Sequence, residues 1–228
     1  MRLATLSRSI RIRSLGVVLV GVVSLVSAAS ARAEVIFDSI TGNTATGSTT
    51  ATVNGWRAAQ FILPAAVGDK DKFGLGSVVL NLANNPLATD FTVAIYDSTG
   101  GSKPTSVVGQ LVATQPIVVG NNEFFTTNSF PTLSAGLSYW LVLKGGVSSP
   151  QWGTAGNTGL INPVSQQGAN TALSTNAGST WFVNPAANNP SMMTVNAVAV
   201  PEPSTWAMGL AGVAFAGFKA LSRRRRQA

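Results

Sequence analysis

Short apolar segments bounded by Gly, Pro, Asn or Asp recur throughout the middle of this chain, between residues 34 and 199. Many of them alternate apolar and polar residues, and none has the 3.6-residue periodicity of an amphipathic helix, so they are typical of β-strands. The segments predicted as strands are 35–40, 56–63, 75–82, 91–96, 107–114, 117–119, 123–130, 138–144, 180–183 and 192–198.

Many short strands separated by frequent turn signals predict an all-β body, built as a β-sandwich or a jelly-roll-like fold, over residues 34–199. Turns are expected at 97–101 and 144–146, each of which ends in a pair of Gly residues. The stretches 41–52 and 151–178 have little apolar periodicity. They are expected to be exposed loops or polar strands at a sheet edge.

Residues 1–33 have the organisation of a secretory signal peptide. Basic residues precede a short apolar run at 15–26, and Ala31-Arg32-Ala33 matches a small-x-small cleavage pattern that places the cut before Glu34. The predicted signal helix implies export through the Sec translocon and removal by signal peptidase. A cut after Ala29 or Ala31, or an uncleaved anchor helix, is the alternative. The basic residues of the n-region are Arg2, Arg8, Arg11 and Arg13.

The C-terminal segment, 200–228, combines a Pro-Glu-Pro motif, a short apolar run at 207–218 and a terminal basic cluster. The run is shorter than the ~20 residues that usually span a bilayer, so it predicts a short transmembrane helix held transiently in the inner membrane. The arginines orient its end toward the cytoplasm. The motif is Pro201, Glu202 and Pro203, and the basic cluster is Arg223, Arg224, Arg225 and Arg226.

These three ordered features resemble the PEP-CTERM sorting signal of exported bacterial proteins. The resemblance implies an exosortase as partner, cleavage near Pro201 to Pro203, and delivery of the body to the cell surface or extracellular matrix. It further implies a connection with exopolysaccharide and biofilm production in Gram-negative bacteria. An ordinary anchor helix that is never cut is the alternative for the same segment.

The formal net charge of the chain is +7, but the excess of positive charge comes from the two ends. The body between 34 and 200 has five basic and seven acidic residues, a formal charge of −2. A nucleic-acid footprint needs a clustered basic face, so no nucleic-acid partner is expected.

The chain contains no His and no Cys. It therefore lacks the residues of a Ser-His-Asp triad or a thiol nucleophile, and no disulfide can stabilise the body. Among the few carboxylates of the body, which include Glu123, Asp97 begins a predicted turn and Asp90 precedes a predicted strand, where Asp is common for turn reasons alone. The Asp69-Lys70-Asp71 sequence is similar to a calcium loop, but its lysines oppose a cation. No enzyme activity, metal or cofactor is predicted.

The order of segments in the body resembles the choice-of-anchor β-domains of bacterial surface proteins, in particular the type labelled R. That family is defined by alternative sorting tails, so the resemblance implies surface display and no active site. It is based on the stretches 58–61, 78–80, 91–96, 101–104 and 137–142, and on Trp181.

Two tryptophans are candidates for contact with carbohydrate. Trp152 and Trp181 are both close in sequence to many Asn and Gln residues, an arrangement that suits aromatic stacking on a sugar with amide groups nearby. The alternative is that each fills an end of the core. The predicted function is a non-enzymatic surface or matrix protein associated with extracellular polysaccharide. The alternative is a polysaccharide-binding module using Trp152 and Trp181, and a secreted hydrolase is a distant third.

Overall fold

The computed structural model describes residues 33–63, 65, 72–98, 102–127, 131–156, 170–185, 190–199 and 212. The chain divides into two compact units, one formed by Met1–Ala31 with Pro201–Ala228 and the other by Arg32–Val200. The predicted signal helix and C-terminal helix fall in the first unit, where position 212 alone is described. Among the described residues, no helix has the length and apolar character needed to cross a membrane.

The described residues of the unit Arg32–Val200 form thirteen β-strands and no helix, which confirms the all-β prediction. The strands are β1 (Ala33–Asp38), β2 (Ala45–Thr50), β3 (Trp56–Ile62), β4 (Lys72–Leu82), β5 (Thr92–Asp97), β6 (Val107–Ala113), β7 (Gly120–Thr126), β8 (Thr132–Ser134), β9 (Ser138–Lys144), β10 (Gln151–Ala155), β11 (Thr171–Ser174), β12 (Phe182–Asn184) and β13 (Met193–Ala199).

The polar stretches contain strands, which is one of the two predicted alternatives. The segment 41–52 contains β2, and 151–178 contains β10 and β11, so both include strands rather than loops alone. The predicted strand at 117–119 is wrong, because β7 begins only at Gly120. Gly120 has a φ of 110°, a backbone conformation that glycine adopts readily and other residues do not. The short strand β8 was not predicted by the pattern.

The strands form one antiparallel sheet in the order β1-β13-β4-β7-β6-β5-β9-β3-β11-β12. The long strand β4 also pairs with β8 near its start and with β10 near its end, where Trp152 lies opposite Leu82. Strand β10 pairs in turn with β2. The pairs β10–β2 and β11–β12 are thus two separate edges of the sheet.

The sheet folds back on itself around a shared core. Phe37 of β1 and Phe61 of β3 lie 6.4 Å apart between ring centroids, although six strands separate β1 from β3 in the sheet order. Phe61 also stacks on Tyr139 of β9 at 5.9 Å. The two halves of the sheet therefore face each other, and their inward residues exclude water from a continuous apolar cluster.

The half formed by β5, β9, β3 and β11 is apolar on its outer face as well. Successive residues of a strand point to opposite faces, and β9 is buried at five consecutive positions, Tyr139 to Leu143. Trp140 and Val142 belong to a second cluster, distinct from the core. The other buried members of this outer cluster are Ala58, Ala94, Tyr96 and Ala172.

Candidate functional site

The residues that connect the body to its predicted targeting signals lie beside each other. Ala33 begins β1 and pairs with Val198, and Glu34, the predicted mature N-terminus, pairs with Ala197. The second predicted cleavage residue, Ala31, lies outside the described residues, as do Pro201, Glu202, Pro203 and the cluster from Arg223 to Arg226. Both ends of the body thus leave the sheet from one strand pair, β1–β13.

Hydrogen bonds accepted by Asp38 and Ser39 hold the other end of this strand pair together. Asp38 Oδ1 accepts bonds from the backbone N–H of Ile40 at 2.8 Å and from the hydroxyl of Thr194 at 2.8 Å. The Ser39 hydroxyl accepts a bond from the Met193 N–H at 2.9 Å. The bonds made by Thr194 and Met193 join residues more than 150 positions apart in the chain, so they fix β1 against β13.

Trp152 is part of the core, which corrects the prediction that it contacts carbohydrate. Its side chain is 0% exposed, and its indole N–H donates a hydrogen bond to the Met192 carbonyl at 2.9 Å. A tryptophan with no exposed face offers nothing for a sugar ring to stack on. The alternative interpretation, that Trp152 fills an end of the core, describes its position.

Trp181 lies at the surface end of the outer cluster, half-buried against Trp56 of β3. The two rings are 6.5 Å apart between centroids, with an interplanar angle of 56°. The Lys144 ammonium lies 5.0 Å from the centroid of Trp56 and 5.2 Å from that of Tyr96, within the range of a cation–π contact. We call Trp56, Trp181 and Lys144 the aromatic surface.

Trp56 was not predicted to lie at the surface. Its place in a strand pattern favours the core, yet it is the first residue of β3 and only half-buried. Gly178, with φ of 86°, lies against it so closely that a Cβ there would be 2.5 Å from Trp56 Cζ3. A Gly in the Asn-Ala-Gly-Ser turn before Trp181 was the available signal, since close approach to a ring requires the absence of a side chain.

A second concave feature lies between the two free edges of the sheet. An open groove of about 770 Å³ runs between β2–β10 on one side and β3–β11–β12 on the other. We call it the Arg57 groove. Six of its polar lining residues are Ser48, Thr49, Arg57, Thr154, Thr171 and Asn184.

Arg57 is the only cation among the described lining residues of this groove. Its Nε–H donates a hydrogen bond to the Thr50 carbonyl at 2.8 Å, and burial lowers the pKa of its guanidinium below the ordinary value. Arg57 was not predicted as a site residue. Its single charge inside the otherwise mostly apolar segment Trp56–Ile62 could have indicated it.

The two carboxylates considered for catalysis both make local hydrogen bonds in the fold. Asp97 accepts a bond from the Ser106 N–H at 2.8 Å, and Glu123 accepts one from the Ser77 hydroxyl at 2.6 Å. No group of three or more His, Cys, Asp or Glu residues that could hold a metal occurs in the part of the chain that the structure describes. The sequence 69–71 lies outside that part.

Comparison with known proteins identifies one segment of the chain. No curated protein is significantly similar to it in sequence, and the resemblance of the body to choice-of-anchor domains stays a prediction. Residues 199–226 match the family model described as the PEP-CTERM protein-sorting motif. The chain therefore ends in a PEP-CTERM sorting motif, which implies an exported protein that depends on an exosortase for its sorting toward the cell surface.

Proposed function

We propose that this protein is a non-enzymatic component of the cell surface or extracellular matrix, associated with extracellular polysaccharide. Signal peptidase removes residues 1–33, and an exosortase cuts near the Pro-Glu-Pro motif after transient insertion of the tail in the inner membrane. The observation that carries the proposal is the sorting-motif match at 199–226. It begins at the last residue of β13, Ala199.

The position of β13 supports processing without loss of structure. This strand lies between β1 and β4 and pairs along its whole length, from Met193 with Leu80 to Ala199 with Phe73. A cut between Pro201 and Pro203 falls beyond the last paired residue. The body that leaves the membrane would keep every strand, so cleavage changes its location and leaves its fold intact.

The chemistry of the body supports a role without catalysis. A chain without His and Cys has neither the commonest general base nor a thiol nucleophile. The described carboxylates of Asp38, Asp97 and Glu123 accept hydrogen bonds from neighbouring backbone or hydroxyl groups. These contacts explain each of the three as a structural residue.

Polysaccharide binding by the body is the second candidate function. The observation in its favour is the aromatic surface, where Trp56 and Trp181 are both partly exposed and the Lys144 ammonium lies over the Trp56 ring. Aromatic rings with a polar neighbour suit the apolar face and the hydroxyl groups of a sugar ring. Trp56 takes the place that the sequence analysis gave to Trp152.

Mass spectrometry of the mature termini tests the proposal. We expect surface-localised protein to begin at Glu34 and to end between Pro201 and Pro203, and we expect loss of the C-terminal cut in an exosortase-deletion strain. Replacing Pro201 and Pro203 by Ala should block the cut, whereas the neighbouring Ser204→Ala control should leave it unchanged. Surface protein that retains Arg223 to Arg226 would overturn the sorting proposal.

A further inference from the structure

The Arg57 groove is an open concave feature lined by thirteen described residues. Its volume of about 770 Å³ lies within the ~300–1,000 Å³ typical of ligand sites. It lies where the sheet stays open, since in the described part of the body β2 pairs with β10 alone and β12 with β11 alone. The aromatic surface involves Trp56, whose side chain points to the opposite face of β3 from that of Arg57.

Arg57 lacks a counter-charge within the described part of the body. A guanidinium has five N–H donors, and one of them bonds to the Thr50 carbonyl. Desolvation is the cause that lowers the pKa of the Arg57 side chain, with no carboxylate contributing to it. The segments 157–169 and 186–189, which adjoin β10, β11 and β12 in the chain, contain no Asp or Glu.

A half-buried guanidinium without an anion is unfavourable unless a ligand supplies one, because burial removes the water that stabilises its charge. Arginine binds carboxylates through two parallel N–H···O bonds, and this planar fork distinguishes it from lysine. A polyanion such as nucleic acid requires a cluster of cations. One guanidinium in a body of formal charge −2 instead fits one carboxylate per binding unit.

The rest of the lining suits a sugar. Ser48, Thr49, Thr154 and Thr171 line the groove and carry hydroxyl groups, and Asn184 adds an exposed amide. The Phe182 ring, 65% exposed, lies on the same wall. Hydroxyl and amide groups can bond to sugar hydroxyls, and an aromatic ring can cover the C–H face of a sugar.

We propose that the Arg57 groove binds an acidic polysaccharide, with the Arg57 guanidinium paired to the carboxylate of a uronic acid unit. The hydroxyl groups of β2, β10 and β11 hold the sugar ring, and Phe182 of β12 packs against its apolar face. The choice of a polysaccharide rests on the proposed function, whereas the anion site itself rests on Arg57 and the groove.

Binding of oligogalacturonate and alginate oligomers to the full-length chain in detergent, measured by isothermal titration calorimetry, tests this site. A neutral dextran oligomer of equal length is the comparison ligand. We expect the uronate oligomers to bind and Arg57→Gln to weaken them by roughly tenfold or more, the loss of a hydrogen-bonded charge pair. The matched control Lys103→Gln, which removes one exposed charge elsewhere, should bind as the unmodified protein does.

A second variant covers the case in which Arg57→Gln fails to fold. Asn184→Asp places a nearly isosteric negative charge at an exposed groove position, so it should weaken uronate binding without affecting stability. Uronate binding in both variants as tight as in the unmodified chain, a loss in Lys103→Gln equal to that in Arg57→Gln, or no binding by the unmodified chain would each overturn the inference. Correct mature termini with no uronate binding would keep the proposed sorting and reject this site.

Discussion

Val35 of β1 pairs with Asn196 of β13, near the points where the two processed ends of the body leave the sheet. The pairing brings together residues from the first and last strands in sequence. It follows that the chain cannot complete this edge until β13 is made, at the end of synthesis of the body. The two proposed cleavages, before Glu34 and near Pro201 to Pro203, would therefore act close to the ends of one strand pair.

A disulfide introduced at this pair tests the register. Directly opposed residues of antiparallel strands have Cα atoms about 4.5–5.5 Å apart, within the range that a disulfide bridges. The natural chain has no Cys to compete. We expect Val35→Cys with Asn196→Cys to form a bond detectable by non-reducing electrophoresis and to stabilise the fold by roughly 4–5 kcal/mol in the chain-entropy model.

The control for this crosslink is Val35→Cys with Thr194→Cys. Thr194 pairs with Asp38 rather than Val35, so its sulfur should lie too far from residue 35 to form the bond. Equal crosslinking of the two double variants would contradict the register of β1 against β13.

The strands with the strongest apolar patterns were predictable because their own residues encode them. β5 and β9 are rich in β-branched, aromatic and leucine residues and are bounded by turns, so the local sequence pattern is enough to locate both. β2 is different, since its sequence ATGSTT has no apolar residue beyond Ala and its strand depends on hydrogen bonding to β10. A partner about 100 residues away leaves no mark in a local pattern.

The same distance in sequence explains which site residues were found. Trp181 was predicted from its own neighbourhood, but the burial of Trp152 depends on the Met192 carbonyl. The Arg57 groove takes residues from β2, β3, β10 and β11, which only the folded sheet brings together. Local chemistry could therefore mark Trp181, whereas the long-range pairing of strands determines its neighbours.

The core is tested by two leucines, one in the middle of β9 and one just before that strand. Leu141 is 0% exposed in β9, whereas Leu137, just before β9, is 54% exposed. Leu141→Ala should lower the free energy of unfolding by about 2–5 kcal/mol, through lost transfer energy and a residual cavity. Leu137→Ala should change it by no more than about 0.5 kcal/mol. Urea unfolding followed by tryptophan fluorescence measures both, and similar losses would contradict the placement of β9.

The stability of the β1–β13 pair should depend on pH through Asp38. Burial acts to raise the pKa of this carboxyl, but hydrogen bonds from Thr41, Ile40 and Thr194 outweigh it and hold the pKa below its ordinary value. A group with a depressed folded-state pKa stabilises the fold above its unfolded pKa and loses that contribution as pH falls through the folded value. Stability should therefore decline as the pH falls below about 4.

Thermal unfolding of the natural protein and of Asp38→Asn between pH 7 and pH 2 measures this contribution. The asparagine can still accept the hydrogen bonds but has no charge to titrate, so its stability should be lower at pH 7 and should fall less in acid. Parallel pH profiles for the two proteins would assign the acid dependence to other carboxylates.

Substitutions of Trp152 and Trp181, the two predicted carbohydrate contacts, should have opposite effects on stability and on polysaccharide binding. Trp152→Phe removes the indole hydrogen bond to the Met192 carbonyl, which still accepts one from the Asn81 N–H. The lost bond and the smaller buried ring together should cost about 1–3 kcal/mol of stability and leave polysaccharide binding unchanged. Trp181→Ala should affect stability less, because its ring is half-exposed, but should weaken polysaccharide binding roughly tenfold if Trp181 is an anchor. Denaturation and retention on immobilised polysaccharide separate the two, and a binding loss confined to Trp152→Phe would reverse the assignment.

Gly178 should control the position of Trp56. An Ala at 178 places its Cβ 2.5 Å from Trp56 Cζ3 and also adopts a φ of 86°, so the ring must move. Gly120→Ala is the matched control, since its φ is 110° but nothing lies within 4 Å of the added Cβ. Both variants should lose about 1–2 kcal/mol from backbone strain. Only Gly178→Ala should change the near-ultraviolet circular dichroism of the tryptophans and weaken polysaccharide retention, because only it displaces a ring of the aromatic surface. Unchanged tryptophan spectra in Gly178→Ala would mean that Trp56 does not lie against this turn.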